Sequence, residues 1–165
     1  MNFFRYNSNP KGWKTGDCVV RAVSTAMEAA YKNMNWNNTY DDLCKIGAKK
    51  CRMPNDPHVY GQYLRDNWFN ECKQLKHDDG TKYTVREVIR EYPNSILLIN
   101  CAHHLTCAVR GNLYDTWDCS YKTAGKFWMM DNCDIMHENV DAFEERMLPY
   151  LDEDCKRRIL WQTKN

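Results

Sequence analysis

Three residues of the chain have side chains suited to nucleophilic catalysis. Cys18 stands where a helical pattern begins, His104 heads a run of strand-forming residues, and Asp118 ends the next run. A cysteine attacks a carbonyl carbon as the thiolate, and a helix N-terminus together with a nearby imidazolium lowers the pKa of the thiol. A carboxylate that holds the imidazole completes the set. We therefore expect Cys18 as nucleophile, His104 as base and Asp118 as the residue that orients the base.

The choice of Asp118 depends on the register of an expected hairpin. Gly111-Asn112 is a turn signal between two strand-like runs, and a three-residue turn centred on Gly111 puts His104 opposite Asp118. Directly opposed side chains are roughly 5 Å apart at Cβ, whereas Asp115 would lie roughly 10 Å away. A two-residue turn would shift the register by one residue and move the side chains to the other face. Both registers stay open, and Asp118 is favoured.

Short helices followed by short strands are expected to position these residues. Apolar residues recur at helical spacing after Cys18, which predicts a helix of about 14 residues with Asp17 as its N-cap or as an acid of its first turn. Thr84 and Glu87 have the spacing of a capping box and predict another short helix. The other expected elements are helices from Thr39 and over 59–66, and strands over 95–101, 104–110, 113–118 and 126–130. Helices first and an antiparallel sheet afterwards predict an α+β domain.

The end of the chain differs from the rest in charge. Residues 131–165 hold nine acidic residues and five Lys or Arg, although the whole chain has a net charge of +1. Val140, Phe143 and Met147 have the spacing of a buried helical stripe. We therefore expect a catalytic domain over 1–130 and an acidic helical extension over 131–165 that packs on the same domain.

Composition narrows the class of protein. The 165 residues suffice for one compact domain, 43% of them are hydrophobic, and no apolar run reaches the roughly 18 residues of a membrane helix. The N-terminus has no secretory signal, so the nine cysteines are expected to be reduced thiols in a cytoplasmic, soluble protein. Because 23 basic residues face 22 acidic ones with no basic stripe, we expect no nucleic-acid partner and no membrane.

The order of these motifs resembles the papain-like cysteine peptidase superfamily. Gly16-Asp17-Cys18 opens a helix, and His104-Leu-Thr-Cys-Ala-Val and Tyr114-Asp-Thr-Trp-Asp118 follow in the expected strands. The chain also resembles a group of small proteins of Gram-positive bacteria and their phages that carry Gly-Asp-Cys-x-x-Arg-Ala and His-Leu-Thr motifs. The resemblance spans roughly residues 7–130. It implies a papain-like fold, a thiol protease or amidohydrolase activity without a cofactor, and a catalytic triad at Cys18, His104 and Asp118.

One position departs from the family pattern. Papain-like enzymes place a glutamine a few residues before the cysteine as an oxyanion-hole donor, and no glutamine precedes Cys18 here. Asn9 is the nearest amide and is the oxyanion candidate, together with the backbone N–H of Cys18. The alternative is that Asn9 only stabilises the Asn9-Pro10 turn.

A structural zinc site is a rival interpretation of the same region. The residues that suggest it are Cys101, His103, His104, Cys107, Cys119, Cys133 and His137. The chain has no Cys-x-x-Cys pair, and alternation along strands would scatter these ligands over both faces of a sheet. We therefore expect no metal.

The sequence predicts a cysteine-dependent hydrolase that acts on a peptide, isopeptide or other amide bond through an acyl-enzyme on Cys18. The expected partner is a protein or peptide substrate. An acyltransferase that uses the same site, or a catalytically idle fold that binds a protein partner, are the alternatives. Substrate and oligomeric state cannot be predicted from the sequence.

Overall fold

The computed structural model describes residues 1–14 and 16–162, with side chains to residue 161. Within these residues the helices are α1 (Cys18–Ala30), α2 (Trp36–Lys50), α3 (Pro57–Asp66), α4 (Val85–Glu91), α5 (His137–Met147) and α6 (Glu153–Gln162), and a short 3-10 helix covers Leu148–Tyr150. The strands are β1 (Phe3–Arg5), β2 (Asn70–Cys72), β3 (Ile96–Cys101), β4 (His104–Val109), β5 (Asn112–Asp115) and β6 (Ala124–Met130). The mixed α+β class predicted from the sequence is confirmed.

The strands form one sheet in the order β1-β5-β4-β3-β6-β2. Four neighbouring pairs are antiparallel, but β1 runs parallel to β5, so the sheet is mixed and the expectation of a purely antiparallel sheet is wrong. The sequence did not indicate β1 or β2, because three residues are too few for alternation to show. Both strands lie at the edges of the sheet.

Two apolar cores lie on the two faces of the sheet. On one face α1 packs along β4, and Val23, Ala26 and Met27 are fully buried there. On the other face Val88 and Ile89 of α4 join side chains from β3, β5 and β6. Alanine at many positions of α1 lets its backbone lie close to the sheet, which fixes the position of the first residue of the helix, Cys18.

The helix starts agree with the sequence to different degrees. Thr84 and Glu87 form the predicted capping box at the start of α4. Helix α2 begins at Trp36, and Asn35 caps it by accepting a hydrogen bond from the Asn38 N–H at 3.1 Å. The prediction that this helix starts at Thr39 is therefore wrong, because the Asn35 side chain provides a cap one turn earlier.

The C-terminal residues pack against α1. Val140, Phe143 and Met147 of α5 are buried in the same core as the α1 side chains, which confirms the predicted stripe. Asn139 Nδ2 donates a hydrogen bond to the Ala30 carbonyl at 3.0 Å and ties α5 to the end of α1. The division of the chain at residue 130 remains a prediction.

Strand β4 is bounded by two tight turns, and each has positive φ angles. Ala102 (φ 43°) and His103 (φ 61°) connect β3 to β4, and Arg110 (φ 42°) and Gly111 (φ 79°) connect β4 to β5. Two-residue turns of this kind suit the right-handed twist of a hairpin. The second turn corrects the predicted three-residue turn centred on Gly111.

Two further findings concern the whole described chain. None of the helices in residues 1–14 and 16–162 is both long and apolar enough to cross a membrane. The nine cysteines are all free thiols, as expected, and those at positions 101, 107, 119 and 155 are buried.

Candidate active site

His104 is held by a carboxylate from the neighbouring strand. Its Nε2 atom lies 2.6 Å from Oδ2 of Asp115, the last residue of β5. Both side chains are largely buried, with 12% of His104 and 6% of Asp115 exposed. A hydrogen bond at this distance fixes the ring, and the imidazole also interacts with the thiol of Cys18.

The expectation that Asp118 holds His104 is wrong, because the hairpin register differs by one residue from the predicted one. Val109 pairs with Asn112, and continuing this register places Trp117, not Asp118, opposite His104. The Trp117 ring lies against the imidazole, with ring centroids 5.4 Å apart. On the same face, Asp115 reaches His104 diagonally.

Asp118 is not one of the residues that contact His104 through hydrogen bonds. Its carboxylate accepts a hydrogen bond from the Ser120 N–H at 2.9 Å and stabilises the turn after β5. It also lines an open groove together with Arg86 and Arg158. A role for Asp118 in orienting His104 therefore has no support in the geometry.

Cys18 is the first residue of α1 and lies against the head of β4. Its hydrogen bond with His104 lowers the pKa of the thiol; burial opposes this shift, and the Leu105 backbone and the charge on Arg21 add to it. For His104, burial alone would lower the pKa, but hydrogen bonds with Asp115 and Cys18 outweigh it and raise the pKa to about 10. Both shifts favour a thiolate–imidazolium pair at neutral pH.

The residues just before Cys18 are held by a buried ion pair. Asp17 occupies the N-cap position of α1, but its carboxylate makes no capping bond and pairs instead with Arg21, one turn later. The side chain of Arg21 is only 7% exposed and also donates to the Trp13 carbonyl at 3.4 Å. Because Asp17 does not cap the helix, the first N–H groups of α1 are not occupied by that side chain.

Asn9, the oxyanion candidate, lies beside this ion pair. Its Nδ2 atom donates to Asp17 Oδ2 at 2.7 Å, and its Oδ1 atom accepts from the Lys11 N–H at 2.9 Å. One amide hydrogen is thus committed to Asp17, and the turn role also considered for Asn9 is real. Asn9 thus contacts Asp17, the residue that precedes Cys18. A role for Asn9 in oxyanion binding remains a prediction.

The only group of potential metal ligands found among the described residues overlaps the same site. Suitable atoms of His104, Asp115 and Cys119 lie within 4.8 Å of one another. The 2.6 Å between the first two is a hydrogen-bond distance, and donors sharing one tetrahedral zinc ion would be roughly 3.3 Å apart. Two other residues considered for zinc lie elsewhere. Cys107 is fully buried in the core on the α1 face of the sheet, and His137 lies against Arg110.

Cys119 forms a second layer behind the histidine–carboxylate pair. Its Sγ atom is 4.0 Å from Asp115 Oδ2, and its thiol also interacts with that of Cys101. Both cysteines are buried. The position of Cys119 beside Asp115 follows from the turn after β5, which carries no local motif, so the sequence pattern indicates Cys119 only as a potential zinc ligand.

A signal that favours Asp115 was present in the sequence. Arg110-Gly111 is a possible two-residue turn, and counting from it places Asp115 and His104 on one face. Glycine suits the second position of such a turn, whereas arginine is uncommon at the first. Arg110 is held there because its guanidinium contacts Asp141, Glu144 and His137 of α5, and the sequence pattern did not reveal these contacts.

Two cavities flank the Cys18–His104 pair. One, of about 330 Å³, lies in front of α1 and is partly lined by Asn9 and Asp17. The other, of about 300 Å³, is partly lined by Ala102, His103 and His104 beside the β3–β4 turn. His104 thus lines one cavity directly, and Cys18 is the chain neighbour of residues that line the other.

Asp115, His104 and Cys18 thus form one line of polar contacts. Such a line can supply a thiolate nucleophile, a proton donor for a leaving group and a carboxylate that keeps the imidazole in place. No protein-family model, curated protein or solved structure matches the chain.

Proposed function

We propose that the protein is a papain-like cysteine hydrolase that cleaves an amide bond of a peptide, isopeptide or related substrate through an acyl-enzyme. The observation that supports this most strongly is the position of His104 between Cys18 and Asp115, with Nε2 at 2.6 Å from the carboxylate. Chain order also supports the papain-like assignment, because the cysteine begins α1 and the histidine and aspartate follow on neighbouring strands.

In the first half of the reaction, Cys18 Sγ attacks the substrate carbonyl carbon and the carbonyl oxygen becomes an oxyanion. The Cys18 N–H and the Asn9 amide are the candidate donors to that oxyanion. When the C–N bond breaks, the His104 imidazolium gives its proton to the leaving amine, and a thioester on Cys18 remains.

In the second half, His104 takes a proton from a water molecule that attacks the thioester. The tetrahedral intermediate collapses, the carboxylic acid product leaves, and the Cys18–His104 pair returns to its starting state. Asp115 keeps the ring oriented and stabilises its positive charge in both halves. If an amine replaced the water, the same steps would give acyl transfer.

A protein that only binds a partner is the second candidate function. It is favoured by one observation: the Asn9 amide already donates to Asp17, in a chain with no glutamine before Cys18. A weak oxyanion hole would slow formation of the acyl-enzyme and leave the two cavities near Cys18 and His104 intact for binding. The experiment below separates this candidate from the hydrolase.

The test is substrate profiling with a library of proteome-derived peptides, incubated with the wild-type protein or with Cys18→Ala. Mass spectrometry after labelling of new amino termini identifies each cleavage. We expect a set of cleavages that needs Cys18, and the same cleavages to be lost in His104→Ala. Adding a primary amine such as glycinamide separates hydrolysis from acyl transfer, because only transfer puts the amine on the new carboxyl terminus.

Two outcomes would contradict the proposal. One is cleavage that is unchanged in Cys18→Ala, which would point to a contaminating protease. The other is the absence of cleavage, together with no covalent adduct on Cys18 from an acylating peptide probe, which would favour the partner-binding candidate.

A further inference from the structure

The cavity in front of α1 is lined in part by the residues that precede Cys18 in the chain. Gly16 and Asp17, the two residues before Cys18, form part of its wall, and Val20 of the first helical turn forms another part. Its volume of about 330 Å³ lies within the range typical of pockets for small ligands or single side chains. The cavity wall therefore includes the two residues next to the residue that carries the thiol.

The opposite wall is made of large apolar side chains that remain exposed to solvent. Trp13 is 68% exposed and Met53 is 71% exposed. Trp36 and Tyr40 stack on each other there, with ring centroids 4.9 Å apart and an interplanar angle of 15°. Four bulky apolar side chains around one cavity are typical of a surface that is covered when a ligand binds.

The charged group in the wall is already neutralised. One carboxylate oxygen of Asp17 pairs with Arg21, and the other accepts the Asn9 amide. A cationic ligand would have to compete with a buried arginine for this carboxylate, and an anionic ligand would meet it with like charge. The charge balance therefore favours a neutral, apolar occupant that stacks on the aromatic rings.

Proton transfer decides which part of a substrate this occupant belongs to. His104 must deliver its proton to the leaving amine, so the amine side of the bond lies toward His104 and the second cavity, beside Ala102 and His103. The acyl side stays bonded to Cys18 and extends toward the start of α1. The cavity in front of α1 therefore faces the acyl side.

We propose that this cavity selects substrates with a bulky apolar side chain, preferably aromatic, on the residue that carries the attacked carbonyl. This inference rests on the proposed function, because it assumes that Cys18 forms an acyl-enzyme.

The test uses four peptidyl acyloxymethyl ketones that are identical except for the residue next to the ketone, which is Phe, Gly, Lys or Glu. Cys18 Sγ displaces the carboxylate of each probe and forms a thioether, and peptide mapping gives the rate at each cysteine. We expect the Phe probe to modify Cys18 at least about tenfold faster than the Gly probe, as for a side chain that gains an apolar pocket. The Lys and Glu probes should both be slower than the Phe probe.

Two exposed positions allow the wall to be changed without disturbing the core. Trp13→Ala and Met53→Ala should each reduce the ratio of Phe to Gly rates by at least threefold. Trp68→Ala is the matched control, because Trp68 is 73% exposed and does not line the cavity. This variant should keep the wild-type ratio.

The possible failures are distinguishable. Selective modification of Cys18 at equal rates by the Phe and Gly probes would overturn the pocket assignment and leave the hydrolase proposal standing. Fastest modification by the Lys or Glu probe would also overturn it, in favour of a charged occupant. If no probe favours Cys18 over the other thiols, and iodoacetamide does not either, the proposed function itself fails.

Discussion

The two ends of β4 contrast in what their polar residues contact. At the first end, His104 lies between Asp115 and Cys18, and the exposed fractions of the two strand side chains are 12% and 6%. At the other end, Arg110 pairs with Asp141 and Glu144 on α5, and Asp141 is 66% exposed. Both ends follow the same backbone plan, since each joins a tight turn with two positive φ angles.

The contrast shows where this fold concentrates electrostatic energy. Charges that pair at a solvated surface contribute little, since water competes with the partner. Charges that pair away from water shift each other's pKa, as the raised pKa of His104 and the lowered pKa of Cys18 show. We infer that the His104 end serves chemistry and that the Arg110 end serves to attach α5.

The largest effect is expected at the buried end. Asp115→Asn removes the carboxylate that holds the imidazolium, so His104 loses charge and the pKa of Cys18 rises toward its ordinary value. The rate of Cys18 alkylation at pH ~6 should fall by roughly tenfold to a hundredfold, since each unit of pKa changes the thiolate fraction about tenfold. The rate is measured by quenched mass spectrometry. Asp118→Asn is the matched control and should stay within about twofold; a larger loss in this variant than in Asp115→Asn would restore the predicted register.

The pH dependence of the free energy of unfolding should also report the interaction between His104 and Cys18. The raised pKa of His104, about 10 against about 6.5 when unfolded, gives stability that is fully present below pH ~6.5 and lost as pH rises through about 10. The lowered pKa of Cys18 gives stability that is present above the ordinary thiol pKa of about 8.5 and lost as pH falls through the lowered value. Urea unfolding should show that the wild type loses ~2 kcal/mol more than His104→Gln between pH ~7 and ~10.5. Equal losses would mean that the histidine is not charged at neutral pH.

Several elements of the fold and two residues of the site could be predicted from the sequence, and the reasons differ by element. Helix α4 was predicted with its bounds because Thr84 and Glu87 carry a local capping signal. The positions of Cys18 and His104 followed from periodicity, which reports which face of an element is buried. The third residue required a turn length, and the arginine at the first turn position, Arg110, contacts a helix about 30 residues later. Long-range contacts of this kind leave no trace in local pattern.

The two turns give a smaller, paired prediction. Gly111→Ala places a Cβ on a residue with φ +79° and 3.4 Å from the Pro93 carbonyl oxygen, so it should lower the free energy of unfolding by roughly 1–2 kcal/mol. Ala102→Gly removes the same strain from a residue with φ 43° and should raise the free energy of unfolding by up to about 1 kcal/mol. Urea titration measures both. A destabilised Ala102→Gly variant would mean that the alanine side chain makes contacts that outweigh the strain.

The smallest effect is expected for the surface ion pairs. Arg110→Ala should lower the free energy of unfolding by about 1 kcal/mol or less, and it should leave Cys18 alkylation unchanged. Urea titration and the alkylation assay measure the two effects on the same samples. A change of more than about threefold in alkylation would show that the two ends of β4 are coupled, against the separation inferred here.

We infer that His104 turns Cys18 into a thiolate, and competitive alkylation compares this thiol with the others in one sample. Limiting iodoacetamide at pH ~6 should modify Cys18 ahead of the other eight thiols, because an ordinary thiol titrates near pH ~8.5. Peptide mapping reads out every cysteine in one experiment, and His104→Ala should remove the preference. Uniform labelling of several cysteines, unchanged in His104→Ala, would contradict the account and identify Cys18 as a packing thiol.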